Sequence, residues 1–440
     1  MKKIGRYDGA RNKTPFPRSF GHTKRRKMAL KFGIVGAGRG SNFISSLKIS
    51  GAEVVALCDY NEKKLAKVVE EHPELEGRTF TDFDEFIKAD MDGIILANYF
   101  CEHAPFAVKA LRAGKHVLSE TVSNITMAQG VELVRAVEET GKIYGLLENY
   151  PYTKPNMAME ALYKTGKLGK IVYAEGEYIH PMDAWEQNYM APHPNHWRNW
   201  TPRTYYTTHG LAPIMQMTDC MPTRVVAMAS FAPEVAKNTA LNTGDAAAIL
   251  MIQTDNDAVF RVNGWSQFFP HGNNYRLCCT KGGCQINHAT GQMRIGYAKA
   301  AKPDDVELCD ADYDIEWPDP ELGKIADESG HGGGDFWVIY YFVKAIEKGE
   351  NPYWNVYRAT AMASCAILGW RSILNGNIPY DIPDFSKEEV RKLWEDDTVS
   401  PYPDENGKVD FRCSSKPYAP SEEDLAYAKA QWDRRDTINL

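Results

Sequence analysis

The stretch KFGIVGAGRGSNFISSLK, residues 31–48, decides the fold. Its first six residues read as a short apolar strand, and the remainder as a glycine turn that opens a helix. Gly36 permits the tight turn, and Gly38 lets the backbone come close to a pyrophosphate lying on the helix N-terminus. Gly40 belongs to the same turn. Ser41 occupies the third glycine position of GxGxxG and is small enough for close helix packing. A second strand, EVVALC (53–58), ends at Asp59, 21 residues after Gly38. A carboxylate there accepts hydrogen bonds from ribose hydroxyls and repels a 2′-phosphate, which favours NAD over NADP, with Arg39 softening the preference.

Outward from this turn, strands and helices alternate. A charged helix over 61–72 is followed by the strand DGIILA (92–97), the helix HAPFAVKALRAG (103–114), a strand at 115–118, a helix over 127–140 and a strand at 143–147. That order predicts a doubly wound parallel sheet closing near Asn149. Beyond a helix at 154–164 the pattern changes. KIVYAEGEYIH (170–180) alternates with period two, and the strand-like runs RVVAMASFA, AAAILMIQT, AVFRVNGWSQ, YRLCCT and QMRIGYA follow. They predict an α+β domain with a large, mostly antiparallel, open sheet. Two helices return, FWVIYYFVKAIEK, apolar almost all round and so buried, and ATAMASCAILGWRSIL. The fold class is therefore α/β, a Rossmann domain followed by the α+β domain. The boundaries are a basic arm at 1–30, the Rossmann domain at 31–149, the second domain at 150–385 and a C-terminal extension with one helix at 386–440.

Composition narrows the function. The 440 residues are 43% hydrophobic and carry a net charge of -7, which argues against nucleic acid as a partner. No apolar run is long enough to span a bilayer. The nine cysteines are scattered, odd in number and without CxxC, as expected of mostly buried thiols in a reducing compartment, with no structural metal. Residues 1–31 hold eleven Lys/Arg and one acid, with no apolar segment of the secretory kind behind them, so a cytoplasmic location is expected. This arm reads as disordered, as an extension before a start at Met28, or as a segment that packs on a partner subunit.

GAGRG (36–40), Asp59, Asn98 with His103, GKHV (114–117) and Glu120 together resemble the Gfo/Idh/MocA oxidoreductases, over residues 31–385. The resemblance implies NAD as cofactor and a second domain whose open sheet carries the substrate site and often oligomerises, hence a homodimer or homotetramer. In that family the glutamate is followed by a lysine that helps move the proton of the alcohol being oxidised; here Thr121 stands in its place. LLENYPY (146–152), GKLGKIVYAEGEYIH (166–180), HWRN (196–199), YTTHGLAP (206–213), GHGGGDFW (330–337) and IPDF (382–385) look like the NAD-dependent glycosidases of glycoside hydrolase family 109. Those act as α-N-acetylgalactosaminidases and also lack the lysine. Thr207, Ala212 and Pro181 depart from their pattern, which bears on the sugar more than on the chemistry.

The chemistry so implied is hydrolysis of a small-molecule glycoside with no net redox change. Carbon 3 is oxidised, the proton on carbon 2 becomes acidic and is removed, the aglycone leaves carbon 1, water adds, and the hydride returns. No carboxylate pair flanking the glycosidic bond is needed. The resemblance makes His209 the base for the 3-hydroxyl, histidine being the side-chain type whose unperturbed pKa, near 6.5, suits giving and taking protons. Tyr178 is the candidate for the carbon 2 proton, given a cationic or hydrogen-bonding neighbour, with His180 on the same side of its strand. The resemblance further implies that Arg198 clamps substrate, that Tyr206 orients it and that Glu148 contacts it. Asn149, Asn98, His103, Glu120 and Thr121 belong to the cofactor site. His271 is the nearest candidate for a later substrate contact. His193 and His196 read as a surface pair, and His331 with Asp335 as a helix cap or loop contact. Trp185, Trp197 and Trp200 are as easily core as sugar-stacking. Two other readings stay open: a sugar or polyol dehydrogenase with His209 alone as base, and a non-catalytic NAD- or sugar-binding protein.

Overall fold

The computed structural model describes residues 29–404 and 406–438. The basic arm expected at 1–30 lies almost wholly outside the described residues. The first sheet has six parallel strands: β1 (Leu30–Val35), β2 (Ala52–Cys58), β3 (Thr79–Phe80), β4 (Gly93–Leu96), β5 (His116–Glu120) and β6 (Tyr144–Leu147), in the order β3-β2-β1-β4-β5-β6. Strand order reverses beside β1, so the carboxyl ends of β1 and β4 open a crevice there. The strands are buried on both faces because helices cover both, which is why they read as continuous apolar runs. Local signals set the helix ends. Thr126 caps the helix Met127–Thr140 by accepting from Gln129 N, the Gln129 side chain reaches back to Ile125 N, and Gly141 ends the helix at φ 62°.

The second sheet has nine strands: β7 (Ile171–Ile179), β8 (Pro222–Phe231), β9 (Asp245–Thr254), β10 (Val259–Ser266), β11 (Gly272–Cys279), β12 (Gly282–Asn287), β13 (Gln292–Tyr297), β14 (Asp310–Tyr313) and β15 (Tyr380–Asp381). Their order is β14-β13-β12-β11-β7-β10-β9-β8-β15, and only β7 and β10 run parallel. One face packs on the helices Thr208–Thr218 and Val356–Leu374. The other face is open and partly apolar, with Met228 opposite Ile249 on β8 and β9, both exposed.

Chain order and spatial order part company at the helix Gly334–Lys348. It is buried as its apolar composition predicts, yet it packs on the Rossmann sheet: the Phe342 ring lies 6.2 Å from Phe32, and Lys344 Nζ donates to Ser50 O. Gly145 makes room for it, since a Cβ there would sit 2.8 Å from Phe342. The C-terminal extension is also stitched back. Tyr402 Oη donates to Thr201, Trp370 Nε1 to Arg412 O, and Trp432 Nε1 to Asn188 O. The nine cysteines are free thiols, five buried and four half-buried.

Candidate active site

A cleft of about 420 Å³ lies where the carboxyl ends of β4, β5 and β6 meet the second domain. From the Rossmann side it is lined by Arg39, Asn98, His103, Glu120, Thr121 and Asn149. From the other side come Tyr178, His180, Arg198, Tyr206 and His209. Trp265 of β10, Met182, Glu186, Met190 and His331 line it too and were not read as site residues from the sequence.

The cofactor side is built from close approaches. Gly36 has φ 93°, and a Cβ on it would lie 2.2 Å from Ala97 O, so only glycine lets the β1 turn meet the end of β4. At Gly38 the space a Cβ would take is open, with only Lys64 Nζ within 4 Å, at 3.9 Å. The close packing expected of Ser41 falls instead to Gly40, whose Cβ would press Ile34 Cγ2 at 2.4 Å; the Ser41 hydroxyl hydrogen-bonds to Gly38 O. Asp59 is buried and shapes the turn, accepting from Ala37 N at 2.8 Å and Asn61 N at 2.9 Å. At the cleft, Asn98 Oδ1, Thr121 Oγ1 and Asn149 Oδ1 are buried without a hydrogen-bond partner. Buried polar atoms are paired in nearly all proteins, so three orphans around one cleft mark places for ligand donors. The open cradle at Gly38 and these orphans fit a dinucleotide, with its pyrophosphate over the glycine turn and its nicotinamide end toward Thr121 and Asn149.

Arg39 does not reach outward to a ribose. Its guanidinium grips Asp335 with two bonds of 2.7 Å, its Nε donates to Glu120 at 2.8 Å, and its plane lies over Phe43. Burial alone would lower its pKa, but the two carboxylates hold it above the usual arginine value. Asp335 also accepts from Asn149 Nδ2 at 2.8 Å and faces His331 Nδ1 at 3.0 Å. Burial pushes the Asp335 carboxyl up, but Arg39 and His331 outweigh it and hold it well below the carboxylate range. Of the helix cap or loop contact expected here, Asp335 makes the loop contact, to His331; Gly333 is the N-cap, with no side-chain cap, and the carboxylate turns also to Arg39. His103 is interior, with Nδ1 on Val122 O, and burial lowers its pKa to about 4. The Thr121–Val122 peptide is cis.

The substrate side centres on His209, in the first turn of the helix Thr208–Thr218. That turn lies directly on the sheet because both contacting residues are glycines: a Cβ on Gly176 would be 1.9 Å from Gly210 O. Tyr275 Oη fixes the turn from β11 by donating to His209 O at 2.7 Å. Behind the imidazole, Glu148 Oε1 faces His209 Nδ1 at 2.7 Å. Glu148 was expected to contact substrate; instead it is fully buried, does not line the cleft, and positions His209. A carboxylate on Nδ1 fixes the tautomer with the proton there and leaves Nε2 to accept. The Tyr178 ring stands 4.7 Å from His209 and 5.5 Å from His180. Arg198 lies over Trp197 at 4.4 Å. Tyr206 stacks on Tyr178, with ring centroids 5.9 Å apart. Burial raises the Tyr178 pKa well above 10, with Arg198 pulling the other way, and burial with the charge of His271 lowers that of His180. His271 itself does not line the cleft; its ring meets His180 edge-on at 4.9 Å. His193 and His196 are 5.3 Å apart, and among the described residues no group of three or more His, Cys, Asp or Glu could hold a metal ion.

Two family models match this chain: the NAD-binding Rossmann oxidoreductase family, Gfo/Idh/MocA, over residues 30–147, and the glycosyl hydrolase 109 C-terminal domain over residues 237–392. The chain is thus similar to the Gfo/Idh/MocA oxidoreductases in its first domain and to the glycosyl hydrolase 109 proteins in its second. A glycosyl hydrolase family 109 protein of Saccharopolyspora erythraea is 26% identical over 389 residues, covering 81% of this chain and 83% of its own. Glycosyl hydrolase family 109 protein 4 of Phocaeicola vulgatus is 27% identical over 420 residues, covering 84% of this chain and 80% of its own. Among solved structures, levoglucosan dehydrogenase with NADH and L-sorbose superposes with a TM-score of 0.66 at 18% identity, over 81% of this chain and 100% of its own. An Agrobacterium radiobacter oxidoreductase with NAD+ and L-tartaric acid gives 0.64 at 15% identity, over 81% and 99%. These two share the fold. The Rossmann domain of this chain is an NAD-binding one. No helix among the described residues is long and apolar enough to cross a membrane.

Proposed function

We propose that this chain is an NAD-dependent glycoside hydrolase that oxidises carbon 3 of a sugar transiently, eliminates the aglycone, adds water and reduces the ketone again. The observation that carries the reading is the His209–Glu148 pair. It presents an accepting Nε2 to the cleft beside Tyr178, on the scaffold that has Thr121 where a dehydrogenase keeps its lysine. NAD, held over Gly38 and by the unpaired groups of Asn98, Thr121 and Asn149, would supply reversible uptake of the carbon 3 hydride.

The chain's own residues handle the protons. His209 Nε2 takes the 3-hydroxyl proton, and Glu148 stabilises the imidazolium that forms. Burial keeps Tyr178 a neutral phenol, so it donates a hydrogen bond to the carbon 3 oxygen as negative charge builds there. The base role expected of Tyr178 at carbon 2 passes to His180, which burial and the charge of His271 keep unprotonated and able to accept. Arg198, with its guanidinium over Trp197 in the cleft wall, binds sugar hydroxyls. The exposed Met228 and Ile249 on the open face of the second sheet support self-association through it.

The test is a panel of glycosides with NAD+ in deuterated water. Deuterium at carbon 2 of the released sugar, without accumulating NADH, is expected. One NADH per sugar consumed would instead make the chain a dehydrogenase, and cleavage without deuterium would mean direct hydrolysis.

A further inference from the structure

The loop Gly330–Gly334 is costly to build. His331 has φ 53°, unusual for a residue with a side chain, and Gly332 and Gly333 follow at 59° and 93°. Three glycines there are required by contact: a Cβ on Gly330 would meet Asp335 Oδ2 at 2.5 Å, on Gly333 Trp317 at 2.6 Å, and on Gly334 Asn149 O at 2.3 Å. The outcome of this backbone is that His331 lines the cleft with its Nδ1 on the buried Asp335, at 3.0 Å. Asp335 is itself fixed by the two bonds from Arg39 and the one from Asn149. The cleft therefore contains two histidines each backed by a buried carboxylate, His209 on Glu148 and His331 on Asp335. The Tyr150 ring stands between them, 4.4 Å from the first and 6.2 Å from the second. Backbone held in sparsely populated regions collects at functional sites. A surface cap would need neither the buried carboxylate nor an imidazole turned to the cleft.

We propose that His331 is a second acid–base residue, which gives a proton to the departing aglycone oxygen and later takes one from the attacking water. The assignment rests on the glycosidase reading above, in which His209 serves the 3-hydroxyl and nothing yet serves the oxygen on carbon 1. In the 3-keto sugar a base removes the carbon 2 proton, and that C–H pair becomes the C1=C2 double bond. The C1–O pair leaves with the aglycone oxygen, which takes the proton from His331 Nε2 and departs as an alcohol. The neutral imidazole then accepts a proton from water as the water oxygen bonds to carbon 1 and carbon 2 recovers its proton. The net change is one water added across the glycosidic bond, with the carbon 3 hydride lent to oxidised nicotinamide dinucleotide and returned.

A general acid matters in proportion to how poor its leaving group is. The test compares His331→Asn with the wild type on a nitrophenyl glycoside and on the methyl glycoside of the same sugar, with NAD+ in deuterated water. Asparagine accepts the left-handed backbone, so the loop keeps its shape, but it cannot transfer the proton. Turnover of the methyl glycoside is expected to fall by about 10²–10⁴-fold, and that of the nitrophenyl glycoside by about 10-fold or less. Dinucleotide binding, followed by tryptophan fluorescence, and deuterium exchange at carbon 2 are both expected to persist in the variant. Equal losses on the two substrates, or loss of dinucleotide binding, would overturn the assignment and leave His331 a structural residue. Absence of carbon 2 exchange in the wild type would remove the glycosidase reading itself, whatever the variant does.

Discussion

Arg39→Met separates a structural strut from a cofactor contact. The arginine is 27% exposed at its side chain and its partners less so, Asp335 at 3% and Glu120 at 16%. Methionine keeps the stem over Phe43 and leaves both carboxylates without their cation. Breaking a buried pair by removing one partner costs about 3–5 kcal/mol; the partial exposure of Arg39 puts this case near the low end, about 3 kcal/mol. For a chain of this size that lowers the thermal midpoint by roughly 3 °C. The pH dependence has a definite sign. The Asp335 carboxyl is held below its unfolded value, so the strut contributes in full above the ordinary carboxylate range, and its contribution is lost as pH falls through the folded value. In the variant both carboxyls rise, Glu120 first because burial already raises it, and each escapes the penalty by protonating. The deficit should therefore be largest at pH 7–8 and shrink on acidification. Urea unfolding of wild type, Arg39→Met, Asp335→Asn and the double variant across that range measures it. A coupling energy below about 0.5 kcal/mol, or a deficit that grows as pH falls, would refute the strut.

His103 sets a second pH signature: its pKa is about 4 when folded against 6.5 in the open chain, so the unfolded state binds more protons between those values. Stability should be full above pH 6.5 and fall by about 3 kcal/mol toward pH 4, and His103→Gln should remove that part of the slope in urea titrations. Glu148→Gln should lower kcat by about 10–150-fold with little change in KM, because it removes a charged partner of His209 rather than a substrate contact; a raised KM at constant kcat would restore the contact role. Gly38→Ala places a methyl in the open cradle at no steric cost to the fold, so dinucleotide affinity measured by calorimetry should drop by about 10-fold or more, or about 1.4 kcal/mol, while the melting temperature without dinucleotide is kept.

What the sequence shows well is what neighbours in the chain decide. The turn at Gly36–Gly40, the apolar strands covered on both faces and the alternation of β7 through β10 are local patterns, and each appears where its residues place it. The second-sheet strands without such a pattern escape notice: β12 starts on two glycines, and β14 and β15 are short. Asp335 shows a deeper limit. A carboxylate in the first turn of a helix reads as a cap, but its partner Arg39 lies 296 residues away, and nothing near either residue announces the other. Glu148 fails in the same way. Its motif places it correctly beside Asn149, yet whether it faces substrate or stands behind His209 depends on a helix 60 residues downstream. The run GHGGGD was the available signal, since consecutive glycines beside a histidine imply close approaches that a simple cap does not require.

The threonine at 121 becomes intelligible once these pairs are in place. A dehydrogenase releases the proton of its alcohol, and a lysine near solvent passes it out. In the proposed cycle the same proton must return when the ketone is reduced, so the site gains by keeping it. His209 is buried to about nine-tenths and its Nδ1 is tied to a carboxylate with no exposure at all. That arrangement holds the ring in one orientation and shields the proton it takes up from exchange with bulk water. An amine at 121, lining the same cleft as Arg39 and His209, would work against it by offering the proton a second carrier. Threonine adds no charge, and its hydroxyl is buried and unpaired. Thr121→Lys is then more than a return to the lysine of the oxidoreductases this chain resembles. By giving the proton a route out of the cleft it should turn a cyclic enzyme toward net oxidation, with NADH accumulating during glycoside turnover. Unchanged hydrolysis without NADH would mean that proton retention at His209 is not what distinguishes this site.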